Sequence, residues 1–141
     1  MGNSPSVRKV NFEDVQFLLK NKKPILINTL DRNNQDCLIK GTIAISEEEE
    51  IINTFMKKNI NVTIVIYDSN SNSEKLIKKY NQLINLGFYN VYIYPGGLFE
   101  WLCLQDIYGK ENFPTTTQEL DILRYKAKSI FNSYLLQNNI D

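Results

Sequence analysis

Val62-Thr63-Ile64-Val65-Ile66-Tyr67 runs without a break into Asp68-Ser69-Asn70-Ser71-Asn72-Ser73. The first six residues are apolar or β-branched and do not alternate with polar ones. That pattern belongs to a central strand buried on both faces. The polar run after it is a loop. A helix then follows from about Glu74 to Leu86, with Leu76, Ile77, Tyr80, Leu83 and Ile84 on one face and Gly87 as its closing residue. A loop carried from a strand end to a helix start meets free backbone N–H groups and the positive end of the helix dipole. The 68–73 loop is therefore the candidate site.

Working outward, helices and strands alternate. Asn11 with Asp14 reads as the cap of a short helix, Phe12 to Leu19, with Val15, Leu18 and Leu19 inward. Pro24 ends it, and Ile25-Leu26-Ile27-Asn28 is a short buried strand. Asp31 to Asp36 is a polar loop, and Gly41 to Ile45 a second strand candidate. Ser46 and Glu49 form a capping box, with Glu47 to Glu50 favoured by the dipole of the helix they start. Consecutive carboxylates point in different directions around a helix, so this acidic run reads as a helix start and no metal site is expected. Ile51, Ile52, Phe55 and Met56 supply that helix's buried face. Val91-Tyr92-Ile93-Tyr94 is the next strand, and Pro95-Gly96-Gly97 turns into a short helix around Trp101.

Such alternation implies an α/β fold with a central, mostly parallel sheet of about five strands and helices on both faces. Residues 1–10 are expected to be a flexible segment and residues 11–110 the domain. Residues 111–141 read as a linker and a C-terminal amphipathic helix. Thr116 with Glu119 resembles a second capping box. Leu120, Leu123, Ala127, Ile130, Phe131, Tyr134 and Leu135 recur at helical spacing. That stripe is expected to pack on the domain, the alternative being a helix that binds a partner or dimerises.

Composition removes several function classes. The chain has 141 residues, 43% of them hydrophobic and 23% charged, which is globular and enough for one core. It has no histidine, which excludes Ser-His-Asp and Cys-His catalysis and most zinc sites. Its two cysteines, Cys37 and Cys103, are too few for a disulfide scaffold and read as reduced thiols of a cytoplasmic protein. Sixteen basic residues against 16 acidic ones argue against nucleic acid as a partner. The short clusters Arg8-Lys9, Lys20-Asn21-Lys22-Lys23 and Lys78-Lys79 read as solvated surface. No run of about 18 apolar residues spans a membrane, and no apolar secretory signal opens the chain. No cofactor is expected.

The chain opens Met1-Gly2-Asn3-Ser4-Pro5-Ser6, which fits the N-myristoylation pattern with Gly2 as acceptor. A single acyl chain holds a protein to a membrane only marginally. The motif therefore implies reversible attachment at a cytoplasmic membrane face, or otherwise a loose terminus.

From about Phe12 to Ile107 the chain resembles a rhodanese-like domain. Ile25-Leu26-Ile27-Asn28 stands where the family has a strand ending in aspartate. Cys37-Leu38-Ile39-Lys40-Gly41-Thr42-Ile43 matches the signature Gly-His-Ile-Pro-Gly-Ala-Ile at Ile39, Gly41 and Ile43. Val65-Ile66-Tyr67-Asp68 corresponds to the strand that delivers the active-site cysteine. Leu86-Gly87-Phe88-Tyr89-Asn90-Val91-Tyr92, then Gly96-Gly97 and Trp101, is similar to the family's Gly-Phe, Asn-Val-Tyr, Gly-Gly and Trp pattern.

The departures bear on activity. The resemblance implies a loop cysteine that carries sulfur as a persulfide, or attacks phosphorus in the related phosphatases. Asp68 holds that position, Ser71 stands near the usual glycine, and Ser73 near the usual arginine or serine. A carboxylate carries no persulfide and repels anionic substrates. Cys37 and Cys103 do not align with the nucleophile. Asp68 as a phosphoryl-accepting nucleophile would want a second aspartate at Asn70 and further magnesium ligands that are not identifiable. The alternative role is structural, with its carboxylate satisfying the loop's own N–H groups.

The expected function is thus a catalytically inactive rhodanese-like module that binds or scaffolds a protein, tethered through Gly2. The expected partner surface is Asp68, Asn70 and Ser73 with Gly96 and Gly97, or the terminal helix. The alternative is a sulfurtransferase or phosphatase-type enzyme that works without the loop cysteine. A redox or small-anion sensor is a third class, with no positive feature behind it.

Overall fold

The computed structural model describes residues 7–131. Gly2, and the part of the expected terminal helix from residue 132 onward, lie outside the described residues. In chain order the elements are α1 (Phe12–Asn21), β1 (Ile25–Asn28), α2 (Glu48–Lys58), β2 (Ile64–Tyr67), α3 (Glu74–Asn85), β3 (Val91–Ile93) and α4 (Gly97–Tyr108). Short 3-10 turns occupy Arg32–Asn34 and Ile122–Tyr125.

The strands form a parallel sheet in the order β1-β2-β3, with Leu26 opposite Val65 and Val65 opposite Tyr92. Side chains alternate across the sheet as strand geometry requires. Leu26, Val65 and Tyr67 pack with Val15 of α1 and with Leu98, Trp101 and Leu102 of α4. Ile25, Ile27, Ile64 and Ile66 pack on the other side with Ile52 of α2 and with Leu76, Tyr80 and Leu83 of α3. Both faces are thus covered, which explains why β2 is apolar throughout and β1 apolar up to Asn28.

Three strands stand where about five were expected, and the difference lies at the edges. Thr42 touches β1 only as a single bridge to Leu26, held by Ile43 N donating to Leu26 O at 2.9 Å. Gly41, at φ +95°, turns the chain there before a ladder can extend. Lys9 bridges Ile93 on the opposite edge in the same single-residue way.

Asn11 and Asp14 do form a reciprocal capping box at α1. Ser46 and Glu49 do not. Here α2 begins at Glu48, with Glu47 as a cap that makes no side-chain bond. Ser46 lies in a turn in which Glu47 N donates to Ala44 O at 3.0 Å, and Glu48 pairs with Lys79 of α3 at 2.5 Å. Thr116 starts no helix either, because its hydroxyl accepts from Leu38 N at 3.0 Å. Residues 111–117 are knitted to the domain. Lys40 N donates to Pro114 O and Thr116 N to Leu38 O, while Gln105 Nε2 and Trp101 Nε1 donate to Phe113 O and Pro114 O.

The helical spacing from Leu120 onward is not realised through residue 130. A single 3-10 turn stands there, and Leu120, Leu123 and Ile130 are exposed. The burial that does occur is through Tyr125, which is 1% exposed in the α1–α4 core. Tyr125, with the half-buried Ile122 beside it, anchors the segment in the core, so no continuous helical stripe has to be buried.

Candidate functional site

Three loops leave the carboxyl ends of the strands at one edge of the sheet: Thr29 onward, Asp68 to Ser73, and Tyr94 to Gly97. This edge is the usual place for a site in an open parallel sheet. The β1–β2 register pairs Asn28 with Tyr67, so the next residues along, Thr29 and Asp68, come together.

Asp68 is 6% exposed and its carboxylate is fully engaged. Oδ1 accepts from Ser69 N at 2.6 Å and Ser69 Oγ at 3.1 Å. Oδ2 accepts from Thr29 Oγ1 at 2.7 Å and Ser73 Oγ at 2.6 Å. Four donors around one carboxylate satisfy both oxygens. Ser73 spends its hydroxyl on Asp68 and makes no capping bond to α3, which begins at the next residue.

Gly97 locks the far side of the loop. Its φ is +67°, and a Cβ there would lie 2.5 Å from the Asp68 carbonyl oxygen and 2.9 Å from that of Ser69. The close approach allows Leu98 N to donate to Asp68 O at 2.9 Å and Phe99 N to Ser69 O at 2.8 Å. Gly96 precedes α4 as its cap. The predicted surface residues Asp68, Asn70, Ser73, Gly96 and Gly97 are thus gathered around one loop. Ser71 and Asn72 are exposed at its tip, and Asn70 Oδ1 accepts from Asn72 N at 2.9 Å.

Several residues of the site are not apparent in the sequence. Thr29 reaches Asp68 only through the strand register. Asn28 and Gln35 pair their side-chain amides reciprocally, at 3.0 and 2.7 Å, and shape the 29–35 loop. The third contribution comes from the C-terminal segment. Asn70 Nδ2 donates to Tyr125 O at 2.9 Å, which straps residues 122–125 across the loop. Arg124 is held there by Glu119 and Asn34, each at 2.5 Å. Between strap and loop lies a cleft of about 580 Å³, lined among others by Asp31, Asp68, Lys75, Leu123, Lys126 and Lys128. Lys75 forms an ion pair with Asp31, and that bond raises the Lys75 ammonium and lowers the Asp31 carboxyl from their ordinary values.

Neither cysteine lines the cleft. Burial pushes the Cys37 thiol up, and it donates to Thr117 O at 3.5 Å. The Cys103 thiol is also raised, first by burial and then by Asp106 and Glu100. A raised thiol has little thiolate and little nucleophilic character. Among the described residues no group of His, Cys, Asp or Glu is arranged to hold a metal ion. Among the same residues no helix is long and apolar enough to cross a membrane.

A parallel sheet covered on both faces, with a loop between β2 and α3 at the carboxyl edge, defines an open α/β domain. The sequence matches the family model of the rhodanese-like domain over residues 11–103, and the chain belongs to that family. No curated protein matches the sequence. The fold is similar to a yeast protein tyrosine phosphatase of the rhodanese family, with TM-score 0.61 and 13% identity over 85% of this chain and 99% of that one. It is similar to a protein from Bacillus halodurans, with TM-score 0.60 and 18% identity over 91% of this chain and 89% of that one. It also matches thiosulfate sulfurtransferase from Pseudomonas aeruginosa, with TM-score 0.55 and 17% identity over 69% of this chain and 19% of that one. At such identities the likeness is one of fold.

Proposed function

We propose that this rhodanese-like domain has given up sulfur and phosphoryl transfer and acts as a protein-binding module. The observation that carries this is the state of Asp68. The family resemblance implies that it stands at the nucleophile position, and its carboxylate is closed by Ser69, Thr29 and Ser73. A nucleophile must present a free electron pair to the substrate. Here both carboxylate oxygens face donors of the chain itself. The two thiols are raised and lie outside the cleft, which supports the same conclusion.

The partner surface is the face around Asp68, Asn70, Ser73, Gly96 and Gly97, and Gly2 carries a myristoyl group that brings the domain to a cytoplasmic membrane face. The purified protein should transfer no sulfur from thiosulfate to cyanide and hydrolyse no aryl phosphate. Turnover that disappears on replacing Cys37 or Cys103 would establish the enzyme instead. The intact mass of the amino-terminal peptide from native cells tests the tether, and an unmodified Gly2 removes the membrane from the proposal.

A further inference from the structure

The segment 120–131, which runs through the strap, exposes four large apolar side chains. Leu120 is 83% exposed, Leu123 63%, Ile130 78% and Phe131 82%. Isolated exposed apolar side chains are ordinary; of these four, Leu123 lines the cleft itself, where an apolar side chain beside polar groups marks an interaction surface. The strap's backbone is nevertheless fixed, through Tyr125 in the core, Asn70 on the Tyr125 carbonyl, and Arg124 on Glu119 and Asn34. A pre-positioned apolar surface loses little ordering entropy on binding.

The charge beside it is uneven. The acids of the cleft are largely engaged, Asp68 by its hydroxyl and N–H donors and Asp31 by Lys75. Glu74 is the remaining acid of the lining. Lys126 and Lys128 line the same cleft, are exposed, and make no ion pair among the described residues, although Lys128 acts on Asp31 through space. The cleft, at about 580 Å³, takes a few side chains of a peptide laid across it.

We propose that the strap and cleft dock an acidic, amphipathic peptide segment of a partner protein. Its apolar side chains cover Leu120 and Leu123, and its carboxylates meet Lys126 and Lys128. This rests on the protein-binding function proposed above and specifies its ligand chemistry. The lysines set charge preference and the leucines supply most of the buried area.

The test is fluorescence anisotropy with a labelled 15-residue peptide of Glu and Leu at helical spacing, beside a counterpart with Lys for Glu. The acidic peptide should bind at least about tenfold more tightly than the basic one. The double variant Lys126→Glu/Lys128→Glu should lose about tenfold, and Leu123→Asp a comparable factor. Lys57→Glu/Lys58→Glu, on α2, should leave binding unchanged. Leu123, Lys126 and Lys128 are exposed, so these variants keep the fold. Equal binding of the two peptides, or no effect of the 126/128 change, overturns the proposal. So does a dimer that Leu123→Asp dissolves, which would make a second copy the occupant. Sulfur transfer is measured on the same sample. Lost peptide selectivity without turnover defeats the ligand chemistry alone, whereas turnover defeats the inactive module.

Discussion

Asp68 offers the sharpest test of how the loop is built. Replacing it by alanine removes the acceptor for Ser69 N, Ser69 Oγ, Thr29 Oγ1 and Ser73 Oγ together. A hydrogen bond to a charged group contributes about 1.5–3 kcal/mol in mutational series. The four here do not simply add, because Ser69, Thr29 and Ser73 are only partly buried and water replaces some of what is lost. The expected cost of Asp68→Ala is therefore about 2–3 kcal/mol. Asp68→Asn keeps one oxygen for Ser69 N, and the Thr29 and Ser73 hydroxyls can turn to accept from its amide. About 1 kcal/mol should be lost there. Urea unfolding followed by tryptophan fluorescence measures both, since Trp101 is fully buried in the α4 core. An alanine variant within about 0.5 kcal/mol of the parent would show that the carboxylate does not organise the loop. The structural role of Asp68 would then be refuted.

Other outcomes follow from neighbouring geometry. Gly97→Ala forces a Cβ to 2.5 Å from a backbone oxygen at φ +67°, and should cost about 2–4 kcal/mol in the same urea assay. Tyr125→Phe removes a buried hydroxyl that has no hydrogen-bond partner among the described residues, so stability should hold or rise by up to about 1 kcal/mol. Burial raises the phenols of Tyr67, Tyr94 and Tyr125, the last to about 12. Raised folded-state values mean that the stability they contribute is complete below the ordinary tyrosine value of 10.0 and falls as pH climbs through the raised ones. Alkaline titration of tyrosinate absorbance should show these three ionising late, with loss of fold. Asp68→Cys should not restore thiosulfate turnover, because Ser71 and Ser73 stand where active relatives are expected to have a glycine and a basic residue. Robust turnover after that single change would show an intact cradle.

The parts of the fold that the sequence discloses are those governed by local pattern. Ile25–Asn28 appears as read, since four apolar-to-polar residues after a proline have few other uses. The Asn11–Asp14 box also forms, because nothing else competes for either side chain. Prediction fails where another partner outbids the expected one. Ser46 falls inside a turn in which Glu47 N donates to Ala44 O, so the helix starts beyond it. Thr116 yields its capping role to Leu38, 78 residues away. The site divides in the same way. Asp68 and its serines are visible as a run, while Thr29 joins them only through parallel register, and Arg124 and Tyr125 only through tertiary docking.

One consequence links the loop to the strap. In an anion cradle, the loop donors point at a ligand and stay unsatisfied until it binds. Here Asp68 brings the negative charge as part of the chain, and the donors of Ser69 and Ser73 close on it. The loop thereby gains order in the absence of any ligand. On the function proposed above, recognition at this face comes from groups without a hydrogen-bonded or ion-paired partner among the described residues, which include Leu123, Lys126 and Lys128 of the C-terminal segment. If the domain binds a partner as proposed above, the loop serves as a floor to which Asn70 fastens the strap, and the binding specificity falls to a segment outside the matched family region, which ends at residue 103.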